Sequence, residues 1–509
     1  MQWLARLLGV AVTVLGMLGG CASVPDTDHL SGPGSQIRAA TDSGWSNYNR
    51  SQDIVKKLDA QKPSATAEGD FLARHLQVEE AISGAPLMIG NRVTLLTDGP
   101  RTYDAMLRDI RAARQFMHME SYIFDDDEVG RTFADAFIAK RAQGVAVALM
   151  VDGVGTLGTP DALFKRMRDA GVQVVVFNPV NPVRAKAGWA PNNRDHRKLL
   201  VVDGKVGFLG GINISGVYAS APSQGGSAGS ALSFSGGRKA TKVKPDGVKP
   251  ADLRSDDVKP AGTASDGTTP DGATPDAKTS PWRDTHIRIE GPAVNEIERV
   301  MQEGWAEQHG PPLDAREFYP RATPIGPTAM RIVANRPGDK DGYTLYLTLI
   351  SAIKSAQRSI HITMAYFVPD PAFVQALTDA AQRGVDVGMV LPGFSDSSLV
   401  WHAGRSYYTP LLEAGAHIYE RRDAMLHAKT AVIDGVWSTV GSSNMDWRSF
   451  ALNYELNAVI LGAEFGGEME ALFQRDVAEA TPISKEEWAK RGFDERFMET
   501  FSRLFERWL

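Results

Sequence analysis

Cysteine is almost absent: Cys21 is the only one in 509 residues, so no disulfide can form within the chain. A strong charge bias is missing too. With 55 Lys and Arg against 61 Asp and Glu, the net charge of −6 gives no global attraction to a polyanion and disfavours a dedicated nucleic-acid binder. No Cys/His cluster has zinc-ligand spacing, and no glycine-rich loop ends in Lys-Ser or Lys-Thr. Chemistry with neither a metal nor a cofactor is expected. The acidic run Asp125-Asp-Asp-Glu128 does not change this, because it immediately precedes a helical pattern, where acids cap the helix and complement its dipole.

Long hydrophobic runs are scarce as well. The one at the start, Leu7 to Leu18 after Arg6, is short for a spanning helix and leads into Leu18-Gly-Gly-Cys21. It resembles a bacterial lipoprotein signal, predicting a signal over 1–20, acylation of Cys21 and a polar tether over 21–70. Ala22, where Asp would mark inner-membrane retention, points to a lipid-anchored protein on the outer membrane, facing the periplasm.

From Arg101 onward helical and β-rich patterns alternate. Helix Tyr103–Gln115, strand Phe116–Phe124, helix Val129–Gln143 and strand Val145–Val151 are answered by helix Tyr343–Ser355, strand Ile360–Val368, helix Pro371–Gln382 and strand Val385–Leu391. Short phrases recur in the same order: Gln143-Gly-Val145 with Arg383-Gly-Val385, and Tyr122-Ile-Phe124 with Tyr366-Phe-Val368. This is an internal duplication of an α/β unit with a mixed sheet flanked by helices. Its predicted bounds are 71–325 and 326–509. A stretch over 219–280, rich in Gly, Ser, Pro, Ala, Asp and Lys, reads as a disordered insertion in the first repeat, with globular sequence resuming at Trp282. Glu486–Leu509 is expected to be a closing amphipathic helix.

Each repeat holds one copy of a single motif: His196-x-Lys198-x4-Asp203-x6-Gly210-Gly-x-Asn213, and His427-x-Lys429-x4-Asp434-x6-Gly441-Ser-x-Asn444. Asp203-Gly204 and Asp434-Gly435 are type I′ turn pairs between strand-like runs. A two-residue hairpin there puts Lys198 opposite Leu209, His196 opposite Gly211, Lys429 opposite Val440 and His427 opposite Ser442. Histidine and lysine then share a face, with small residues leaving room for a phosphate. Asp203 and Asp434 belong to the motif and are counted with its catalytic residues, although their position makes them turn formers.

Displacement at a phosphodiester needs a nucleophile, an acid for the leaving alkoxide, and donors for the charge on the equatorial oxygens. The two motifs together supply all three. One histidine would attack, the other would protonate the leaving group and then deprotonate the acceptor, and Lys198, Lys429, Asn213 and Asn444 would bind the phosphate. Each ring needs an acceptor on its far nitrogen; Asp284 and Glu455, downstream of the two motifs, are the candidates.

The doubled motif resembles that of the phospholipase D superfamily. The flanking Trp282-Arg-Asp284-Thr-His and Gly441-Ser-Ser-Asn444-Met-Asp-Trp-Arg448-Ser resemble bacterial cardiolipin synthases. The resemblance implies two repeats about a pseudo-twofold axis with one shared active site, His196 as nucleophile and His427 as general acid/base. It implies phosphatidyl transfer to phosphatidylglycerol, with phosphatidylethanolamine as another possible lipid substrate. The alternatives are a hydrolase of the same superfamily acting on phospholipid or nucleic acid, and a non-catalytic lipid-binding module. Trp401, His402, Arg405, Tyr407 and Tyr408 are read as helix packing in preference to a lipid entrance.

Overall fold

The computed structural model describes residues 84–184, 188–220, 280–313, 323–337 and 343–506, together with His75 and Glu79. The expected signal, Cys21, the tether and all but the ends of the insertion lie outside the described residues.

The first repeat begins β1 (Met88–Leu96), α1 (Gly99–Ala112), β2 (Phe116–Ser121), α2 (Glu128–Ala142), β3 (Ala146–Asp152), α3 (Asp161–Asp169) and β4 (Gln173–Phe177). It continues with β5 (Arg194–Asp195), β6 (Leu199–Val202), β7 (Val206–Gly210), β8 (Trp282–Arg283), β9 (His286–Glu290) and α4 (Ala293–Glu307). The second repeat follows the same plan. It runs β10 (Thr328–Asn335), α5 (Thr344–Ser355), β11 (Ser359–Met364), α6 (Pro371–Gln382), β12 (Asp386–Pro392), α7 (Ser398–Arg405) and α8 (Tyr408–Ala414). Then come β13 (His417–Arg421), β14 (Met425–Leu426), β15 (Lys429–Ile433), β16 (Trp437–Gly441), α9 (Trp447–Ala451), β17 (Asn453–Leu461) and α10 (Ala463–Ala478). The chain ends with β18 (Ala480–Pro482), α11 (Lys485–Ala489) and α12 (Phe493–Arg503).

Local chemistry explains the recurrence. Asp127 caps α2 by accepting from Gly130 N at 2.9 Å, and Asp370 caps α6 by accepting from Phe373 N at 2.9 Å. The matched glycines end these helices: Gly144 and Gly384 have φ of 88° and 87°, a left-handed conformation that costs glycine nothing. In each repeat three parallel strands, β2-β3-β4 and β11-β12-β13, continue into an antiparallel hairpin, β6-β7 and β15-β16.

One sheet joins the repeats, because β10 pairs with both β1 and β17. The core is shared as well: Leu199, Leu209 and Ile287 from the first repeat pack in one buried cluster with Val432, Val440 and Leu456 from the second. Each such side chain stabilises the docked pair by about 1.5–3 kcal/mol relative to exposure, so separating the repeats would uncover a core.

Two expectations need correction. The hairpins are one residue longer than a two-residue turn allows. Asp203 and Gly204 do take positive φ, 51° and 60°, and Lys205 N donates to Val202 O at 3.0 Å, yet Val202 pairs with Val206. Lys205 is extra, and Val436 plays the same part between Ile433 and Trp437. The register therefore shifts by one, pairing Leu199 with Leu209 and Thr430 with Val440, so the lysines fall opposite Gly210 and Gly441. The C-terminal stretch is also two helices, α11 and α12, broken at Arg491-Gly492.

Candidate active site

The histidines do not lie on the long hairpin strands. Each follows a two-residue strand that crosses to the other repeat: β5 runs parallel to the start of β17, and β14 runs parallel to β8. His196 N donates to Tyr454 O at 2.9 Å, and His427 N donates to Arg283 O at 2.8 Å. The next residue on each partner strand is an acid. His196 Nδ1 therefore lies 3.0 Å from Glu455 Oε1 of the second repeat, and His427 Nδ1 lies 2.7 Å from Asp284 Oδ2 of the first.

The structure thus brings together His196, Lys198, Asp284, His427, Lys429 and Glu455, all buried. Lys198 Nζ and Lys429 Nζ donate to the carbonyls of His196 and His427. The Lys429 ammonium is also 2.9 Å from His427 Nδ1.

The motif aspartates do not join them. Asp203 accepts from the backbone N–H groups of Arg114, Gln115 and Phe116 at 2.9, 2.8 and 3.0 Å, and Asp434 accepts from those of Gln357, Arg358 and Ser359 at 3.0, 2.7 and 3.0 Å. Each carboxylate sits at the far end of its hairpin and ties it to the entry of β2 or β11. Both therefore leave the candidate catalytic set.

The asparagines differ from each other. Asn213 Oδ1 accepts from Ile123 N at 3.0 Å and its Nδ2 donates to Tyr218 Oη at 3.0 Å, so this amide braces a tyrosine instead of lying open to a ligand. Asn444 Oδ1 is buried and has no hydrogen-bond partner among the described residues.

Residues that the motif reading did not select complete the site. Tyr218 Oη is 3.3 Å from His427 Nδ1, and the rings of Tyr218, Trp282 and Tyr366 lie 5.8, 5.0 and 6.2 Å from that imidazole. His196 has one aromatic neighbour described, Tyr122 at 5.1 Å, whose ring also lies 5.2 Å from Lys198 Nζ. The repeated phrase beginning Tyr122 and Tyr366 was a usable signal for two of these; Tyr218 offered none. Ser442 Oγ donates to Glu455 Oε2 at 2.6 Å. At the matching position a Cβ on Gly211 would come 2.1 Å from Asp284 Oδ1, so only glycine leaves room for that carboxylate.

Electrostatics separate the half-sites. Burial pushes His427 well below the usual imidazole value, and Lys429 and Lys198 push it further. Burial also lowers His196, but Glu455 opposes the shift. Burial raises Asp284 to about 6, against the pull of Lys429. Glu455 goes the other way: burial works to raise it, yet the adjacent His196, then Lys198 and Ser442, hold it below its usual value. Burial brings Lys198 down to about 7 and Lys429 down to about 8.

The remaining aromatic candidates are mainly packing. Tyr407 and Tyr408 are buried, and the Arg405 guanidinium lies over the Trp401 and Trp488 rings at 4.5 and 5.0 Å.

Residues 106–219 and 349–477 match the family model described as cardiolipin synthase, PLD-like domain. Both motifs and Glu455 lie inside the matched stretches, and Asp284 lies outside them. The chain is 30% identical over 439 residues to cardiolipin synthase 1 of Bacillus anthracis, covering 84% of this chain and 74% of that protein. It is 31% identical over 423 residues to the major cardiolipin synthase ClsA of Bacillus subtilis, covering 81% and 74%. The crystal structure of phosphatidylserine synthase from Haemophilus influenzae shares the fold, with a TM-score of 0.59 over 86% of this chain and all of that one at 10% identity.

Proposed function

The chain belongs to the family of PLD-like cardiolipin synthases, and from that premise we propose that it joins two phosphatidylglycerol molecules into cardiolipin through a phosphohistidine. It is a phosphatidyltransferase of the phospholipase D superfamily. The observation that carries the mechanism is the pair of histidines, each held at Nδ1 by a carboxylate of the other repeat.

In this reading the Lys198 and Lys429 ammoniums draw the phosphodiester between the histidines, and Asn444 adds a neutral contact. Neutral His196 attacks phosphorus through Nε2. The P–O bond to the head-group glycerol breaks, and His427 gives the leaving oxygen its proton. The phosphorylated His196 ring carries positive charge, which anionic Glu455 stabilises. His427 then takes the proton from the free hydroxyl of a second phosphatidylglycerol, whose oxygen attacks phosphorus as the P–N bond breaks. One cardiolipin and one glycerol result.

Substrate binding favours the proton that His427 needs: after burial, the charges that depress it most are Lys429 and Lys198, and the single negative charge of a bound phosphodiester offsets part of their combined effect.

The test is incubation of purified protein with phosphatidylglycerol, with and without phosphatidylethanolamine, followed by lipid mass spectrometry. Cardiolipin with matching glycerol release, abolished in His196→Ala and in His427→Ala, is expected. Phosphatidic acid as sole product would make the protein a hydrolase, and no turnover would make it a binding module.

Cys21, in the lipoprotein-like signal, is proposed as the site of acylation, anchoring the enzyme to the outer membrane on its periplasmic side. Incorporation of labelled fatty acid that persists in Cys21→Ser would refute this.

A further inference from the structure

Helix α12 is amphipathic in the wrong sense for water. Helical spacing sets Phe493, Phe497, Phe501 and Leu504 on one face, and they are 79%, 56%, 41% and 75% exposed. The first three rings form a ridge, 6.4 and 6.1 Å apart with planes within 25° and 16°. The face turned into the protein is polar: Glu499 and Ser502 are the helix's buried residues. Glu499 pairs with Arg491 at 3.1 Å, and just past the helix Glu506 accepts from Tyr407 Oη at 2.6 Å. A helix stabilised by water alone would turn the other way, because exposing three phenylalanines forfeits the main source of folding energy.

The location and charge of the ridge identify what meets it. The helix packs on α7, which follows the segment holding Asp396. Asp396 accepts from Tyr366 Oη at 2.7 Å, and the Tyr366 ring stands edge-on to His427. Helix α12 is thus linked to the active site through α7 and the Asp396–Tyr366 pair. Arg496 and Arg503, both exposed, lie along one flank of the ridge, Arg503 also over the Tyr407 ring at 4.9 Å and 3.8 Å from Glu506, while the exposed acids Asp494 and Glu495 are confined to the first turn. Exposed Leu157, Val180 and Val183 sit in loops leaving the C-terminal ends of β3 and β4, the edge of the first repeat that leads to Arg194 and His196.

We propose that α12 is an interfacial helix, its phenylalanine ridge sunk into the acyl boundary of a phospholipid layer and its arginines on the head groups, so that the site faces the lipid it consumes. The choice of lipid over other apolar partners rests on the phosphatidyltransferase reading. Among the described residues no helix is long and apolar enough to cross a membrane.

The direct test introduces Phe497→Trp into the full chain and adds vesicles of phosphatidylglycerol and phosphatidylcholine with or without bromine in the acyl chains. The added emission, variant minus parent, should be quenched by bromine. In a Cys21→Ser background, which removes acylation, Phe493→Ser, Phe497→Ser and Phe501→Ser together should weaken vesicle binding by at least about thirtyfold. Cardiolipin formation on vesicles should fall in step, while turnover of monomeric short-chain phosphatidylglycerol is kept. No quenching, or equal vesicle activity in parent and triple variant, overturns the proposal. So does a dimer seen by light scattering that the triple variant dissolves without any quenching, which would assign the ridge to a second copy. If the triple variant fails to fold, the quenching result decides alone. Quenching without turnover of any lipid would leave the interface standing and remove the transferase reading.

Discussion

The two half-sites descend from one pattern and have come to differ in the groups around the imidazole. His196 is paired with a glutamate kept anionic and further held by the Ser442 hydroxyl. His427 is paired with an aspartate raised to about 6, under a glycine and among three aromatic rings. An ionised partner suits a ring that must carry a phosphoryl group and positive charge. A dry pocket and a partner brought closer to protonation suit a ring that must pass a proton to and fro. The division of labour lies in what surrounds the shared His-x-Lys pairs, including the one motif position where Gly211 answers Ser442.

The largest effect that can break this comparison is removal of either imidazole. His196→Ala and His427→Ala should each lower kcat on the order of 10⁴-fold or more. They should differ in what accumulates: peptide mass spectrometry after acid-free quenching should find a phosphatidyl adduct on His196 in His427→Ala and none on His427 in His196→Ala. The reverse pattern would exchange the roles.

Next come the carboxylates, with Glu455→Gln and Asp284→Asn each costing about 10–100-fold. Rapid-quench kinetics should show Glu455→Gln slowing formation of the adduct and Asp284→Asn slowing its transfer to the acceptor. Gly211→Ala, by displacing the Asp284 carboxylate, should reproduce the second phenotype.

The pH dependence is smaller. Each lysine holds its charge below its own value and loses it as pH rises through about 7 for Lys198 and about 8 for Lys429. KM for phosphatidylglycerol should therefore climb above that range, by up to about tenfold per unit for each lysine lost. A flat KM there would show that the lysines do not bind the phosphate.

Ser442→Gly sharpens the contrast further, since it makes the Glu455 side resemble the Asp284 side. A lost hydrogen bond to a carboxylate is worth about 1.5–3 kcal/mol, of which only part reaches the rate, so a drop of roughly fivefold in kcat is expected. The smallest effect on rate belongs to Asp203→Ala and Asp434→Ala. Each should leave kcat nearly unchanged while denaturant unfolding shows a loss of about 3 kcal/mol, from backbone donors left without an acceptor.

How far the sequence could be read follows from how local each feature is. Helices α1, α2, α5 and α6 and strands β2, β3, β11 and β12 were legible because caps, glycine stops and apolar runs act over a few residues. The hairpin register was missed by one position because a turn pair announces itself in sequence and the bulge at Lys205 or Val436 does not. The type I′ turn itself was right. The crossing of β5 and β14 between repeats was illegible, since parallel pairing of two-residue strands is set by docking and leaves no periodicity behind. Spacing alone brought Asp284 and Glu455 forward as acceptors. It gave no sign that each would serve the histidine of the opposite half.

That crossing also fixes when the protein becomes reactive. During synthesis the first motif is complete when residue 213 has been added, yet its histidine lacks an acceptor until residue 455 follows. Asp284, made earlier, waits for a histidine that appears only at residue 427. A ribosome-bound or truncated chain holding one whole repeat therefore has a histidine without its carboxylate and no second imidazole, so the transferase is assembled only when both repeats have been made and docked.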